Sequence, residues 1–256
     1  MTGAELAARL RAGDLSAAPE VLNLVENRAP AMRAEIEALL AGVSPAALGG
    51  EAPGHVIGIT GPPGAGKSTL LSALVAAWRA AGRTVAVLAV DPSSKRSGGA
   101  LLGDRARIAH DPQDRGVFIR STAAGTRLGG LAPSTPAAAG ALAAAFDVVV
   151  IETVGVGQSE TEVAEVADTV AVIVQPGSGD ALQFLKSGIM EIPDVLVVTK
   201  ADLGQVALRA RRDLSAALRS LGARDTPVVA VSSLAPASGI DELVAALDAH
   251  RAGLDV

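Results

Sequence analysis

The chain has 256 residues, a formal net charge of −5, and 49% hydrophobic but only 2% aromatic residues, which fits one large α/β domain with a core of Ala, Val, Leu and Ile. The acidic pI near 5.3 and the scarcity of aromatics argue against nucleic-acid binding, which uses a basic face and stacking platforms. The absence of cysteine excludes disulfides, thiolate zinc sites and thiol nucleophiles, and fits a reducing compartment.

Three amphipathic segments come first, over residues 4–12, 20–27 and 30–40, with Leu6, Leu10, Leu22, Val25, Met32, Ile36, Leu39 and Leu40 at helical spacing. They define an N-terminal helical region, residues 1–45. Residues 1–13 carry Glu5, Arg9 and Arg11 within the helical pattern and lack a hydrophobic signal core. Residues 42–54, rich in Gly, Pro and Ser, read as a linker.

From His55 the pattern becomes an alternation of strands and helices, and residues 55–256 form the second region. Strands are predicted at 56–60, 85–90, 117–120, 148–152, 170–174, 195–199 and 228–231. Helices are predicted at 67–81, 136–145, 160–167, 181–191, 206–221 and 240–251. This order implies an α/β fold with a mainly parallel sheet flanked by helices and ligands bound beyond the carboxyl ends of the strands. Residues 121–135, crowded with Gly, Ser, Thr and Pro, read as a surface loop. The most apolar stretch, 137–146, is stopped by Asp147 and is shorter than the roughly 20 residues a membrane helix needs. A soluble, cytoplasmic protein is expected, with no membrane and no nucleic acid among its partners.

The first predicted strand runs into Gly61-Pro62-Pro63-Gly64-Ala65-Gly66-Lys67-Ser68, a Walker A match between a strand and a helix, the mark of a P-loop NTPase. Glycines there let several backbone N–H groups face one point, where the helix dipole favours an anion. Lys67 is placed to reach the β- and γ-phosphates, and the Ser68 hydroxyl to ligate Mg²⁺. Thr69 follows in the first helical turn. A Walker A segment by itself does not separate GTPases, ATPases and kinases.

Acids at later strand ends narrow the choice. Asp91 follows the second predicted strand, in Val90-Asp91-Pro92-Ser93-Ser94, and Glu152 ends the fourth, opening Glu152-Thr153-Val154-Gly155-Val156-Gly157-Gln158. Parallel strands put both at the edge where Ser68 lies, where carboxylates hold Mg²⁺ and orient an attacking water. Gly155 is placed to offer its N–H to the γ-phosphate, and Asp104 after Ser97-Gly98-Gly99 is a third acid on a flexible run. Each acid also has a plainer reading, as a solvated loop carboxylate or a helix N-cap. Lys67, Glu152 and Asp104 are the candidate catalytic residues, and Ser68, Asp91, Asp104 and Glu152 the candidate metal ligands. Arg105 and Arg127 could reach the γ-phosphate if their loops closed, but read more simply as surface charges.

The sixth predicted strand ends in Thr199-Lys200-Ala201-Asp202. A Lys-x-Asp here suits guanine: the Lys stem covers the base and the carboxylate accepts from guanine N1–H and the exocyclic amine, a donor pair that adenine lacks. A helix-capping Asp is the alternative. Ser232-Ser233-Leu234, after the last strand, lies where a base-contacting loop belongs. The nucleotide site therefore comprises Gly61, Gly64, Ala65, Gly66, Lys67, Ser68, Thr69, Gly155, Thr199, Lys200, Asp202, Ser232, Ser233 and Leu234, with GTP or GDP and Mg²⁺ as cofactors.

Taken together, GPPGAGKST, VDPSS, SGGALLGDR, ETVGVGQSE, PGSGDALQ with KSGIMEIPD, and TKADL resemble the MeaB/ArgK family in order and spacing, across roughly residues 1–250. Members are GTPases that escort cobalamin-dependent acyl-CoA mutases such as methylmalonyl-CoA mutase. The resemblance implies that GTP binding and hydrolysis gate cofactor loading and protect or rescue a mutase. It also implies Mg²⁺ near Ser68, Asp91, Asp104 and Glu152, and switch loops that respond to the partner. Thr199 stands where the family usually has Asn. A homodimer is implied too, although relatives form it through a C-terminal extension and this chain stops at Val256. Two other readings share the fold: a small-molecule kinase or transport-coupled ATPase, and a nucleotide-binding interaction module with negligible turnover. A GTPase carrying its own metal is not expected, because Cys is absent and His55, His110 and His250 are scattered.

Overall fold

Seven short aliphatic runs become the strands of one sheet, as a computed structural model shows; it describes residues 1–91, 108–123, 131–153, 159–177 and 193–254. In chain order these are β1 (His55–Thr60), β2 (Val85–Asp91), β3 (Val117–Ala123), β4 (Val148–Glu152), β5 (Thr169–Val174), β6 (Val195–Val198) and β7 (Val228–Ala230). All pairings are parallel, in the order β3-β2-β4-β1-β5-β6-β7. Every residue of β1, β4 and β6 is buried, which is why these strands read as continuous apolar runs rather than alternating ones.

Alternation along the strands divides the core between the two faces. Ile57 and Ile59 of β1, Val85 and Val87 of β2, and Val148 and Val150 of β4 pack against α5 (Lys67–Ala80) and the C-terminal helix Ile240–Leu254. Val56, Leu88, Val149 and Ile151 face the opposite way, towards α6 (Thr135–Ala143). The N-terminal helices α1 (Gly3–Arg11), α2 (Ala18–Val25) and α3 (Arg33–Gly42) bury Leu6, Leu10, Val21, Leu22 and Leu39 in that same cluster. They therefore share a core with the sheet, and the guanidinium of Arg120 on β3 pairs with Glu26 at the end of α2. Helix α7 (Ser159–Ala164) follows β4, and α8 (Gln205–Ser220) covers β5 and β6, with Leu214 and Leu218 against Val172 and Leu196. The helix Ile240–Leu254 is α9.

The structure departs from the sequence reading in two places. The linker contains a one-turn helix, α4 (Pro45–Leu48): Ser44 accepts from the Ala47 amide, Pro45 occupies the first turn, and Gly49 stops it at φ 78°. Strand β3 continues through Ser121, Thr122 and Ala123, which read as loop. Pairing of Val90 with Thr122 and of Asp91 with Ala123 extends the strand where composition does not. The helix predicted at 181–191 lies outside the described residues. Among the described residues, no helix is long and apolar enough to cross a membrane.

At the amino edge of the sheet, two histidines far apart in sequence share one hydroxyl. Thr169 Oγ1 lies 2.6 Å from His55 Nε2 and 2.8 Å from His250 Nδ1, and His250 Nε2 lies 3.1 Å from Asp194 Oδ1. His55 is 2% exposed, and burial pushes its pKa down from 6.5 to about 4, opposed in part by Asp168. The unfolded chain thus takes up this proton near pH 6.5 and the folded chain only near pH 4. Stability is expected to fall as pH drops across that window, by about 3 kcal/mol for this one group, and to level off below it. Urea denaturation of the native chain and of His55→Gln at pH 7.5, 5 and 4 checks this: the variant should lose markedly less stability on acidification.

Candidate functional site

Strand β1 ends at Thr60, α5 begins at Lys67, and the loop between them turns back on itself at two demanding positions. Gly61 has φ 143°, and a Cβ there would stand 2.2 Å from the carbonyl oxygen of Ile173 on β5, so only glycine fits. Gly66 caps α5 in the left-handed region at φ 88°. The Lys67 ammonium donates to the carbonyls of Gly61 at 2.6 Å and Pro62 at 3.1 Å, with the residue only 8% exposed. A buried cation thus lies across the loop at the amino end of a 14-residue helix, two sources of positive potential directed at one place. Ala65 is fully buried beneath the loop, while Thr69 is exposed on the first turn.

Register brings Glu152 to this loop. Ile59 on β1 is level with Glu152 on β4, and the Ser68 hydroxyl donates to Glu152 Oε1 at 3.1 Å. Glu152 is 5% exposed. The next residue secures the same corner: the Thr153 amide bonds to the Ile59 carbonyl and its hydroxyl donates to Thr60 Oγ1 at 2.9 Å. On the other flank of β4, Ala89 of β2 is level with Glu152, so Asp91 closes β2 two residues further along the same edge. The Ser68 hydroxyl and the Glu152 carboxylate beside a phosphate-type loop are hard oxygen donors of the kind that suits Mg²⁺. The Asp91 side chain, Asp104 and Gly155 lie outside what is described, as do Arg105 and Arg127.

The ends of β5, β6 and β7 build the second half of the site. Val174 pairs with Val198 and Val198 with Ala230, so Gln175, Thr199 and Val231 emerge together. Thr199 is 4% exposed and its hydroxyl lies 2.7 Å from the Ala65 carbonyl and 3.1 Å from that of Val174. Its side chain therefore ties β6 to the phosphate loop. A hydroxyl suffices for that tie, which an amide could also make. Lys200 adopts φ 54°, and its ammonium contacts Gln175 Oε1 at 2.6 Å and the Gly64 carbonyl at 3.4 Å, so its stem lies alongside the loop. Asp202 is exposed, and the Ser232 hydroxyl donates to its Oδ1 at 3.0 Å. Ser232 is 3% exposed and bridges to Ser238; Ser233 is half-buried and Leu234 is 62% exposed, forming the loop beside Asp202.

Gln175 and Thr153 belong to this site although neither is among the candidate residues read from the sequence. Each directly follows a buried strand at its carboxyl end, the position from which a parallel sheet presents its ligand-facing residues. Their place beyond β5 and β4 is the signal in the sequence that marks them.

Comparison with known proteins agrees with this geometry. The model of the family described as "Methylmalonyl Co-A mutase-associated GTPase MeaB" matches residues 18–256. A putative GTPase of Pyrococcus horikoshii is 48% identical over 77% of this chain and 60% of its own length. A putative GTPase of Pyrococcus abyssi is 43% identical over 98% of the chain and 76% of its own length. Among solved structures, that of LAO/AO transport system kinase superposes with a TM-score of 0.73 at 32% identity, covering 99% of this chain and 76% of the other. The phosphate loop tied to Glu152 and Thr199, the parallel sheet behind it and the family match over nearly the whole chain lead to one conclusion: the chain belongs to the MeaB family of methylmalonyl Co-A mutase-associated P-loop GTPases.

Proposed function

We propose that this MeaB-family GTPase serves as the chaperone of a cobalamin-dependent acyl-CoA mutase of the methylmalonyl-CoA mutase type, gating cofactor loading and protecting or reactivating the enzyme. The observation that carries the nucleotide half of this reading is the convergence on one loop of Lys67, Ser68 with Glu152, and Thr199 on Ala65. The mutase half is supported by the family's own description.

In this reading the amides of Gly61, Gly64, Ala65, Gly66, Lys67, Ser68 and Thr69 and the Lys67 ammonium bind the β- and γ-phosphates. Ser68, Glu152, Asp91 and Asp104 hold Mg²⁺, which when bound neutralises charge on the phosphate oxygens. Glu152 and Asp104 orient the attacking water, and the Gly155 amide meets the γ-phosphate. Lys200 covers the base, Asp202 accepts from guanine N1–H and the exocyclic amine, and Ser232, Ser233 and Leu234 close that side. Catalysis is positioning and charge neutralisation, with no covalent intermediate on the protein.

The test is to measure GTP and ATP hydrolysis with Mg²⁺, alone and with an adenosylcobalamin-dependent methylmalonyl-CoA mutase. We expect GTP to be preferred and turnover to rise about 10-fold or more when the mutase is present. Phosphate transfer from ATP to a small acceptor would replace this reading by the kinase one. Tight GDP binding without turnover, even with the mutase, would make the chain an interaction module.

A further inference from the structure

Strand β3 forms one wall of a cavity of about 500 Å³ that takes no part in the nucleotide site. It lies three strands from β1, ~14 Å at the usual strand spacing. Helices α2 and α3 form the facing wall, and the head of α6 closes one end.

Ser121 and Thr122, near the carboxyl end of β3, both line this space. Phe118 contacts Phe146 in the cluster under the N-terminal helices, and Arg120 pairs with Glu26 of the same face. Thr122, two residues further, points the same way and lines the cavity. It is 8% exposed, and among the described residues its Oγ1 has no hydrogen-bond partner. Thr135, in the first turn of α6, is 2% exposed and its hydroxyl is likewise unpartnered. Ser134, the N-cap of α6, makes no capping bond to the helix amides and lines the cavity. Arg28 also lines it, whereas the Glu26 carboxylate is engaged by Arg120. Val25 and Ile36 supply an apolar side.

Burying a hydroxyl without a partner is unfavourable. Here the unsatisfied Thr122 hydroxyl shares a cavity with Arg28 and with the head of a nine-residue helix, where the Thr135 amide is taken by the Ala132 carbonyl and Pro136 has none, leaving the Ala137 amide; an oxyanion would satisfy these donors at the positive end of the helix. The volume exceeds what an inorganic ion needs and falls in the range of small-molecule pockets. We propose that this cavity is a second ligand site, for a small organic anion whose phosphate or carboxylate head meets Thr122 and the amino end of α6, and whose apolar body lies along Val25 and Ile36.

The test uses the full chain saturated with Mg²⁺ and GDP, so that the phosphate loop is occupied, titrated separately with inorganic phosphate, butyl phosphate and butyrate. Calorimetry and the Thr122 methyl resonance are the readouts, and repeating the titration on Lys67→Ala without nucleotide keeps the result independent of the nucleotide reading. Saturable binding of butyl phosphate or butyrate, tighter than inorganic phosphate and weakened about 10-fold in Thr122→Val, is the expected result. The near-isosteric valine should also raise the Tm by about 2–4 °C, because it removes a buried hydroxyl that no described residue satisfies. The proposal is overturned if none of the three anions binds, if Thr122→Val binds them as well as the native chain, or if that variant melts lower.

Discussion

Replacing Lys67 by alanine is expected to weaken GTP and GDP binding by two to three orders of magnitude while leaving the fold intact. The ammonium is held over the loop by the Gly61 and Pro62 carbonyls, and it can turn from them to phosphate oxygens without moving the backbone. Charge-assisted bonds contribute about 1.5–3 kcal/mol each, so losing two of them amounts to roughly 3–6 kcal/mol, and the lower part of that range is the stated change in affinity. The carbonyls released in the variant border an open loop where water replaces the amine, so the melting temperature should change little. Calorimetric titration with GDP and Mg²⁺ decides the matter. Unchanged affinity would remove the phosphate cradle from this loop.

The second large effect concerns the base. Asp202→Asn is expected to lower affinity for GTP by about 100-fold and to favour xanthosine triphosphate instead. The Ser232 hydroxyl donates to Asp202 Oδ1, which orients the carboxylate. Guanine presents N1–H and an exocyclic amine to such an acceptor pair. Asparagine offers one donor and one acceptor, which match the xanthine edge, where a carbonyl replaces the amine. Competition binding with both nucleotides is the measurement. If the two lose affinity equally, Asp202 holds the loop and does not read the base. Thr199 is separable from this experiment, because its hydroxyl is spent on the Ala65 and Val174 carbonyls.

Local sequence was sufficient for the strands and for the phosphate loop. The seven strand cores were legible because a strand buried on both faces must be a short run of Val, Ile, Leu and Ala, as in Val148–Glu152. Gly61 and Lys67 were legible because a loop that turns its amides towards an anion admits few other residue types. Composition failed where pairing overrides it, as at Ser121–Ala123, which are strand only because β2 continues alongside them.

The partnerships within the site were beyond the sequence, since they depend on register and strand order. Nothing local to Ser68 announces that Glu152 will accept its hydroxyl, which follows from Ile59 standing level with Glu152. In the same way nothing local to Thr199 announces that its hydroxyl will meet the Ala65 carbonyl, which follows from β6 ending beside the phosphate loop. His55 and His250 read as scattered residues until the sheet and α9 set both on Thr169. Backbone burial is dictated by a few neighbours along the chain, whereas a hydrogen bond between strands belongs to the tertiary structure, which alone decides which carboxyl ends meet.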